Sequence, residues 1–470
     1  MSIKIQVEKK TGFLDLHILP AMAPETVTVQ TPGKEPGDIR IIDGKAVLSL
    51  GLQQKLSAEM LRRAGGALAK WLTANNVSHA GVEIDPLIKI GMPPSTAINA
   101  FTEGVLLGAF SFDVYKLNNK EKTITLSYLA DSQIGVDSTE LQSFIDKATI
   151  VAEAVNLARE WAHEPPNVIN PLSLVERVTK IAGEVGLKCT VLDDKQLLEM
   201  GAGAIVAVGK GSNTPSRLII LEHKGSSSEQ PVALVGKSIT MDTGGYSLKG
   251  TENIVGMKYD KSGGMAVIAT MVAVARLNLK TNVVGVIAAA ENMISSGAYR
   301  PDDILKALNG KTIEIISTDA EGRLVLADAL TYTENTYHPR AMIDIATLTG
   351  AVYIALGNQR AGLMANDNEL ADALFKSGEN TFERIWRLPL DEEYFDQIKG
   401  IDSDIKNSGG RPAGAIIGGM FLKQFVTDET PWAHLDIAGT MDITKELPYN
   451  PKKGQGFGVR LFLDYLNSLE

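Results

Sequence analysis

The chain has 470 residues, 44% hydrophobic and 22% charged, with 46 Lys and Arg against 56 Asp and Glu for a net charge of −10. A mean hydropathy of +0.02 and a pI near 5.3 describe an ordinary soluble globular protein and argue against a duplex nucleic-acid binder, which needs a basic face. The single cysteine, Cys189, excludes an intrachain disulfide framework and any multi-cysteine zinc site, and reads as a small buried side chain.

In chain order, the start Met-Ser-Ile-Lys-Ile-Gln-Val-Glu-Lys-Lys carries no apolar signal-peptide core, so a cytoplasmic protein with no membrane partner is expected. Strand-like runs follow at Gly12–Leu19, Lys45–Leu50, Gly81–Ile84, Ala109–Leu117 and Thr123–Leu129, with a helical run from Ala58 to Ala74. Residues 1–136 therefore read as a small α/β domain without a catalytic constellation. Asp137-Ser-Thr-Glu140 is a helix start, with an acidic cap and Glu three residues on. It opens an alanine-rich helix that reaches about His163 and is stopped by Pro165-Pro166. Residues 137–165 are the expected connector, and 166–470 the catalytic domain.

Beyond the connector, strands near Lys188–Leu192, Ser216–His223, Pro231–Val235, Asn282–Ala290, Lys311–Ile316 and Ala341–Ala346 alternate with helical runs. That alternation predicts an α/β domain with a mostly parallel central sheet covered by helices. The longest apolar run, Val283–Ala290, has the length of a buried strand and is too short to span a bilayer. The six histidines lie too far apart for a paired-histidine metal motif, and His434 reads as a core residue.

Two segments carry chemistry. In the first, Lys237 and Asp242 follow the strand Pro231–Val235 and are placed by the pattern in one loop. The pair Gly244-Gly245 then permits close backbone approach, and Lys249 and Asp260 come after it. In the second, Ser317-Thr-Asp319-Ala-Glu321-Gly-Arg323-Leu324 sits between a strand-like and a helical run, where open α/β sheets build sites. A lone Asp is usually a helix cap and a lone Lys a solvated charge. Four carboxylates and two lysines on loops beside buried strands are another matter, because clustered acids repel unless a cation is shared among them. Gly236-Lys237-Ser238 is not a phosphate-binding loop: Pro231 stands where that loop needs Gly.

The runs Val235-Gly-Lys-Ser-Ile-Thr-Met-Asp-Thr-Gly-Gly-Tyr-Ser-Leu-Lys249, Met257-Lys-Tyr-Asp260 and Thr318-Asp-Ala-Glu-Gly-Arg-Leu324 resemble the leucyl (cytosol) aminopeptidases, dinuclear metallo-exopeptidases. The likeness continues through Glu291-Asn-Met293, Ala298-Tyr-Arg-Pro301, Ile345–Ala351, Gly409-Gly-Arg-Pro412 and His434–Gly439. It implies that Lys237, Asp242, Asp260, Asp319 and Glu321 ligate two divalent metal ions, Mn or Zn, with Co or Mg as alternatives. Lys249 would face the tetrahedral intermediate, and Arg323 would hold a bicarbonate-like anion. Met257, Thr347, Gly350, Ala438 and Met441 match positions lining the pocket for the substrate's N-terminal side chain.

The resemblance further implies peptide substrates with a free N-terminus, preferably Leu or another large apolar residue, and a homohexamer. Nucleic acid is not expected as a partner. A non-catalytic scaffold or nucleic-acid-binding member of the same fold is the rival reading, and a narrow cysteinyl-glycine dipeptidase another. Lys261-Ser262 replaces a Met-containing pair beside Asp260, a departure that bears on metal affinity or substrate preference.

Overall fold

A computed structural model describes residues 2–9, 14–117, 123–130, 135–226, 228–443 and 446–470. Contacts divide the chain into two units, 1–156 with 445–452, and 157–444 with 453–470. The division falls within the helix Ser138–His163, whose first turn is capped by Asp137 Oδ1 accepting from the amides of Thr139 and Glu140. The sequence-based boundaries lie instead at 136 and 165, and keep 445–452 with the second domain.

The first unit holds a six-stranded sheet of β1 (Ser2–Lys9), β2 (Leu16–Ala23), β3 (Ile39–Ile42), β4 (Lys45–Leu52), β5 (His79–Glu83) and β6 (Thr123–Ala130), ordered β1-β6-β5-β2-β4-β3. Only the β3–β4 pair is antiparallel. Helix Ala58–Ala74, capped by the Ser57 side chain, packs against helix Pro94–Gly108. Glycines let the two backbones meet: a Cβ on Gly104 would lie 2.1 Å from the Arg62 carbonyl oxygen.

The strand expected at Ala109–Leu117 does not form; the segment is turn and coil after that helix. Ala109 is buried in the core at the end of that helix, but Val114, Tyr115 and Leu117 are exposed. Gly12 and Phe13, at the start of another expected strand, lie outside the described residues.

The second unit is built on β7 (Lys188–Leu192), β8 (Arg217–His223), β9 (Val232–Asp242), β10 (Val283–Asn292), β13 (Ala341–Ala346), β14 (Ala361–Ala365), β15 (Ile385–Arg387) and β17 (Trp432–Asp436), with spatial order β15-β14-β17-β13-β9-β10-β8-β7. The strands β11 (Ile304–Lys306), β12 (Thr312–Glu314) and β16 (Ile405–Lys406) form a separate three-stranded sheet. The four central strands β17, β13, β9 and β10 run parallel, and antiparallel pairs enter only towards the edges. This is the expected α/β architecture. One strand is misassigned by the sequence: Lys311–Ile316 contributes β12 to the small sheet, and does not join the central one.

β9 is also six residues longer than its apolar stretch suggests, because the polar residues Lys237, Ser238, Thr240 and Asp242 are buried within it. His434 is fully buried on β17 and paired with Asp344 on β13 at 2.5 Å. Cys189, expected to be buried, is half-buried because β7 is the edge strand. Among the described residues no helix is long and apolar enough to cross a membrane.

Candidate metal centre

The centre forms at the C-terminal ends of β9 and β10 and the N-terminus of the helix Glu321–Tyr337. Lys237 points from the interior of β9, and Asp242 is the last residue of that strand. Both therefore stand on the strand and not in the loop that the pattern suggests: β13 pairs with β9 only as far as Gly236, and β10 carries the pairing on from Lys237 to Asp242. Asp260 lies in a short 3-10 turn, Met257–Lys261, entered through Gly256 at φ +102°. Asp319 occupies the turn before the helix, whereas Glu321 and Arg323 lie in its first turn. Lys249 comes after the turn at Gly244 and Gly245, both at positive φ, where a side chain would also strike Asp319 or Thr318.

The ionic groups divide into two sets. Lys237 Nζ lies 2.8 Å from Asp260 Oδ1 and 2.8 Å from Glu321 Oε1, and donates to the Thr347 carbonyl at 2.9 Å. The lysine stem passes so close to Gly322 that a Cβ there would meet it at 2.7 Å. Lys249 Nζ lies 2.8 Å from Asp242 Oδ2 and is also paired with Asp319. Oxygens of Asp242, Asp319 and Glu321 gather within 4.8 Å of one another, so the two sets are continuous.

Burial shapes the protonation of these groups. It pushes Glu321 up, with Asp242 adding to the effect, to about 8, and Asp260 up to about 6; Asp319 is also raised. Burial opposes the charge on Lys237, but Asp260, Glu321 and Asp242 outweigh it and hold the lysine protonated; Asp242, Glu321 and Asp319 do the same for Lys249. A bound cation would reverse these terms, depressing Lys237 and the carboxylates together. The residues fit such an ion. Asp260 Oδ2 and Glu321 Oε2 are buried oxygens without a hydrogen-bond partner, a costly arrangement for groups that an ion would satisfy. Carboxylate oxygens with one amine suit hard or borderline divalent ions.

Supporting residues escaped the sequence reading. Asn292, at the end of β10, donates to Asp242 Oδ1 at 2.8 Å and to the Thr318 carbonyl at 2.9 Å. Tyr299 donates to the same carbonyl at 2.7 Å, and Thr318 Oγ1 bonds the Gly244 carbonyl at 2.6 Å. All three lie within the family-like runs, which give them no role, and Asn292 is also a polar residue just past the apolar run Val283–Ala290.

Arg323 is buried and donates to the Asn407 carbonyl at 2.7 Å, with its Nε unpartnered. Burial lowers it to about 10 in spite of Asp436 nearby.

Of the five expected pocket residues, Thr347 touches the acids directly, donating to Asp260 Oδ1 at 2.6 Å. Gly350 opens a short helix, with nothing within 4 Å of where a Cβ would stand. Asp436 joins the neighbouring loops, accepting from the amides of Leu348 at 3.1 Å and Ala438 at 3.2 Å and from Thr349 Oγ1 at 2.6 Å. Met257 shares the short turn of Asp260; the Met441 carbonyl accepts from the Gly454 amide. Lys261 turns away from the acids. It is fully buried, donates to the carbonyls of Glu164 at 2.9 Å and Lys258 at 2.5 Å, and is pushed down by burial to about 7.

Comparison with known proteins matches residues 156–463 to the catalytic domain of the cytosol aminopeptidase family and 25–119 to its N-terminal domain. A probable cytosol aminopeptidase of Syntrophotalea carbinolica is 42% identical over 446 residues, 94% of this chain and 88% of the relative. One from Aquifex aeolicus is 42% identical over 427 residues, 90% and 85% of the two chains. Among solved structures, the bottromycin maturation enzyme BotP in complex with Mn superposes with a TM-score of 0.88 at 30% identity, covering 97% of this chain and all of that one.

Proposed function

Because this chain belongs to the cytosol aminopeptidase family, and so is a metal-dependent aminopeptidase, we propose that it releases single residues from the free N-terminus of peptides, preferring Leu and other large apolar side chains. One observation carries the reading: four carboxylates interleaved with two lysines, with an unpartnered buried oxygen on both Asp260 and Glu321.

Lys237, Asp242, Asp260, Asp319 and Glu321 would hold two divalent ions, Mn or Zn, or else Co or Mg. When bound, such a pair supplies a hydroxide near neutral pH and Lewis acidity at the scissile carbonyl. Lys249, the more accessible lysine, presents its ammonium to the oxyanion that develops there. The substrate's free α-amine would be anchored at the metal centre beside a carboxylate such as Asp260, which is why a free N-terminus is required. Arg323 would hold a bicarbonate-like anion able to shuttle a proton, its unpartnered Nε providing a donor. Thr347, Gly350 and Ala438, on loops tied together by Asp436, with Met257 and Met441, would surround the N-terminal side chain. We also propose a cytoplasmic homohexamer.

Hydrolysis of Leu-p-nitroanilide tests this. Activity should vanish on chelation and return with Mn²⁺, Co²⁺ or Zn²⁺, and N-acetyl-Leu-p-nitroanilide should not be cleaved. Full activity after exhaustive chelation with no metal by elemental analysis, or equal cleavage of the blocked substrate, sinks the proposal. A dipeptide panel in the same assay separates broad activity from a narrow cysteinyl-glycine preference.

A further inference from the structure

Lys261 breaks a local rule. Lysine is almost never fully buried, yet this side chain is 0% exposed and spends its amine on two backbone carbonyls, those of Glu164 and Lys258, with the carboxylates of Glu164 and Asp260 favouring its charge. An apolar side chain of similar length would fill the same volume without desolvating an amine. Rule-breaking of this kind gathers at functional sites, where geometry outweighs stability.

What the lysine holds is the turn Met257–Lys261. One bond ties the turn to itself at Lys258, and the other ties it to the chain at Glu164 just beyond the helix Ser138–His163. A second lysine of the same turn, Lys258, reaches the His163 carbonyl, so the turn is fastened twice to one place. Asp260 sits between these fastenings. Its Oδ1 is taken by Lys237 and Thr347, and its Oδ2 is buried without a hydrogen-bond partner.

We propose that Lys261 is a positioning residue of the metal centre, its amine bonding the turn to the Glu164 carbonyl and thereby fixing where Asp260 Oδ2 points. This rests on the reading of Asp260 as a metal ligand. Bonds behind a ligand set its orientation, and their loss typically lowers metal affinity about 10–100-fold.

The test uses chelated full-length protein titrated with Mn²⁺ by equilibrium dialysis with elemental analysis, and no activity readout. Lys261→Met should keep the far-UV circular dichroism of the parent and weaken one of two Mn²⁺ sites about 10–100-fold. Asp260→Asn is the reference, expected to lose that site. If Asp260→Asn loses the ion while Lys261→Met binds within about threefold of the parent, the positioning role is overturned and the ligand reading stands. If Asp260→Asn binds both ions as the parent does, the ligand reading fails and takes the proposal with it. Should Lys261→Met not fold, Lys261→Leu, which likewise has no donor, decides by the same titration: weakened binding supports the role and unchanged binding refutes it.

Discussion

The centre has a deep half and a shallow half, alike in composition and different in construction. In the deep half Lys237, Asp260 and Glu321 have side chains 3%, 6% and 3% exposed, and they stand on a central strand, a pinned turn and a helix start. In the shallow half Lys249 and Asp319 are 15% and 37% exposed, on loops beside Gly244 and Gly245, and Asp242 alone is anchored by a strand. Each lysine bridges two acids. The deep lysine is held by the fold itself, because Gly322 and the Thr347 carbonyl leave it no other place. The proposed role of the shallow lysine requires it to leave its acids for a substrate. The same ion-pair chemistry thus suits holding in one half and acting in the other.

The largest expected effect breaks the two lysines apart. Lys249→Ala should keep both metals and lose about 10²–10³ in kcat, the usual loss for one oxyanion donor, with no recovery at any metal concentration. Lys237→Ala should lower metal occupancy and regain part of its activity in excess Mn²⁺. Metal stoichiometry and kcat of the two variants decide. A Lys249→Ala protein that loses metal and is rescued, beside a Lys237→Ala protein that is not, would reverse the roles.

A smaller effect sharpens the contrast through supporting residues. Thr347→Val removes the hydroxyl from Asp260 Oδ1 and should weaken metal binding about tenfold, acting on the deep half. Asn292→Ala strips a donor from Asp242 and from the Thr318 carbonyl, and should lower thermal stability by about 1–3 kcal/mol as well, since it leaves buried groups unpaired. Equal metal affinity in the Thr347→Val variant and the parent would remove Thr347 from the account.

How much of this the sequence discloses also differs between the halves. The helix start at Glu321, the glycine turn at Gly244 and Gly245, and the stop before Pro165 follow from local rules, and all appear in the structure. The placement of Lys237 inside β9 does not, because a buried lysine in a strand contradicts hydrophobic patterning and becomes intelligible only when acids from residues 260 and 321 arrive from elsewhere in the chain. The roles of Asn292 and Thr318 are hidden for the same reason, since their partners lie 19 to 74 residues away. In the first unit Ala109–Leu117 has the apolar content of a strand, but a strand also needs a neighbour, and no local pattern reports whether one is present.

The smallest effect uses a third buried acid as a reference. Asp328 lies two turns along the same helix as Glu321, is buried, and accepts from the amides of Ile205 and Leu308, both at 2.8 Å. Burial pushes it up to about 7 against the pull of those amides, and it has no lysine or metal reading to complicate it. A carboxyl whose folded pKa is raised contributes stability that is fully present below its unfolded value of 3.8 and is lost as pH rises through about 7. The folded protein should therefore lose about 1 kcal/mol per pH unit between pH 5 and 7 from this group alone, and little more above pH 7. Asp328→Asn removes that dependence. It also carries a constant penalty, because one backbone amide then faces an NH₂ group, so the readout is slope and not level. Thermal midpoints measured from pH 5 to 8.5 in chelated protein should fall more steeply in the parent than in the variant between pH 5 and 7, and run parallel above it. Parallel curves from pH 5 to 7 would mean that the backbone amides, and not burial, govern Asp328, and would weaken the case that burial is the main cause raising Glu321 and Asp260 beside their lysines.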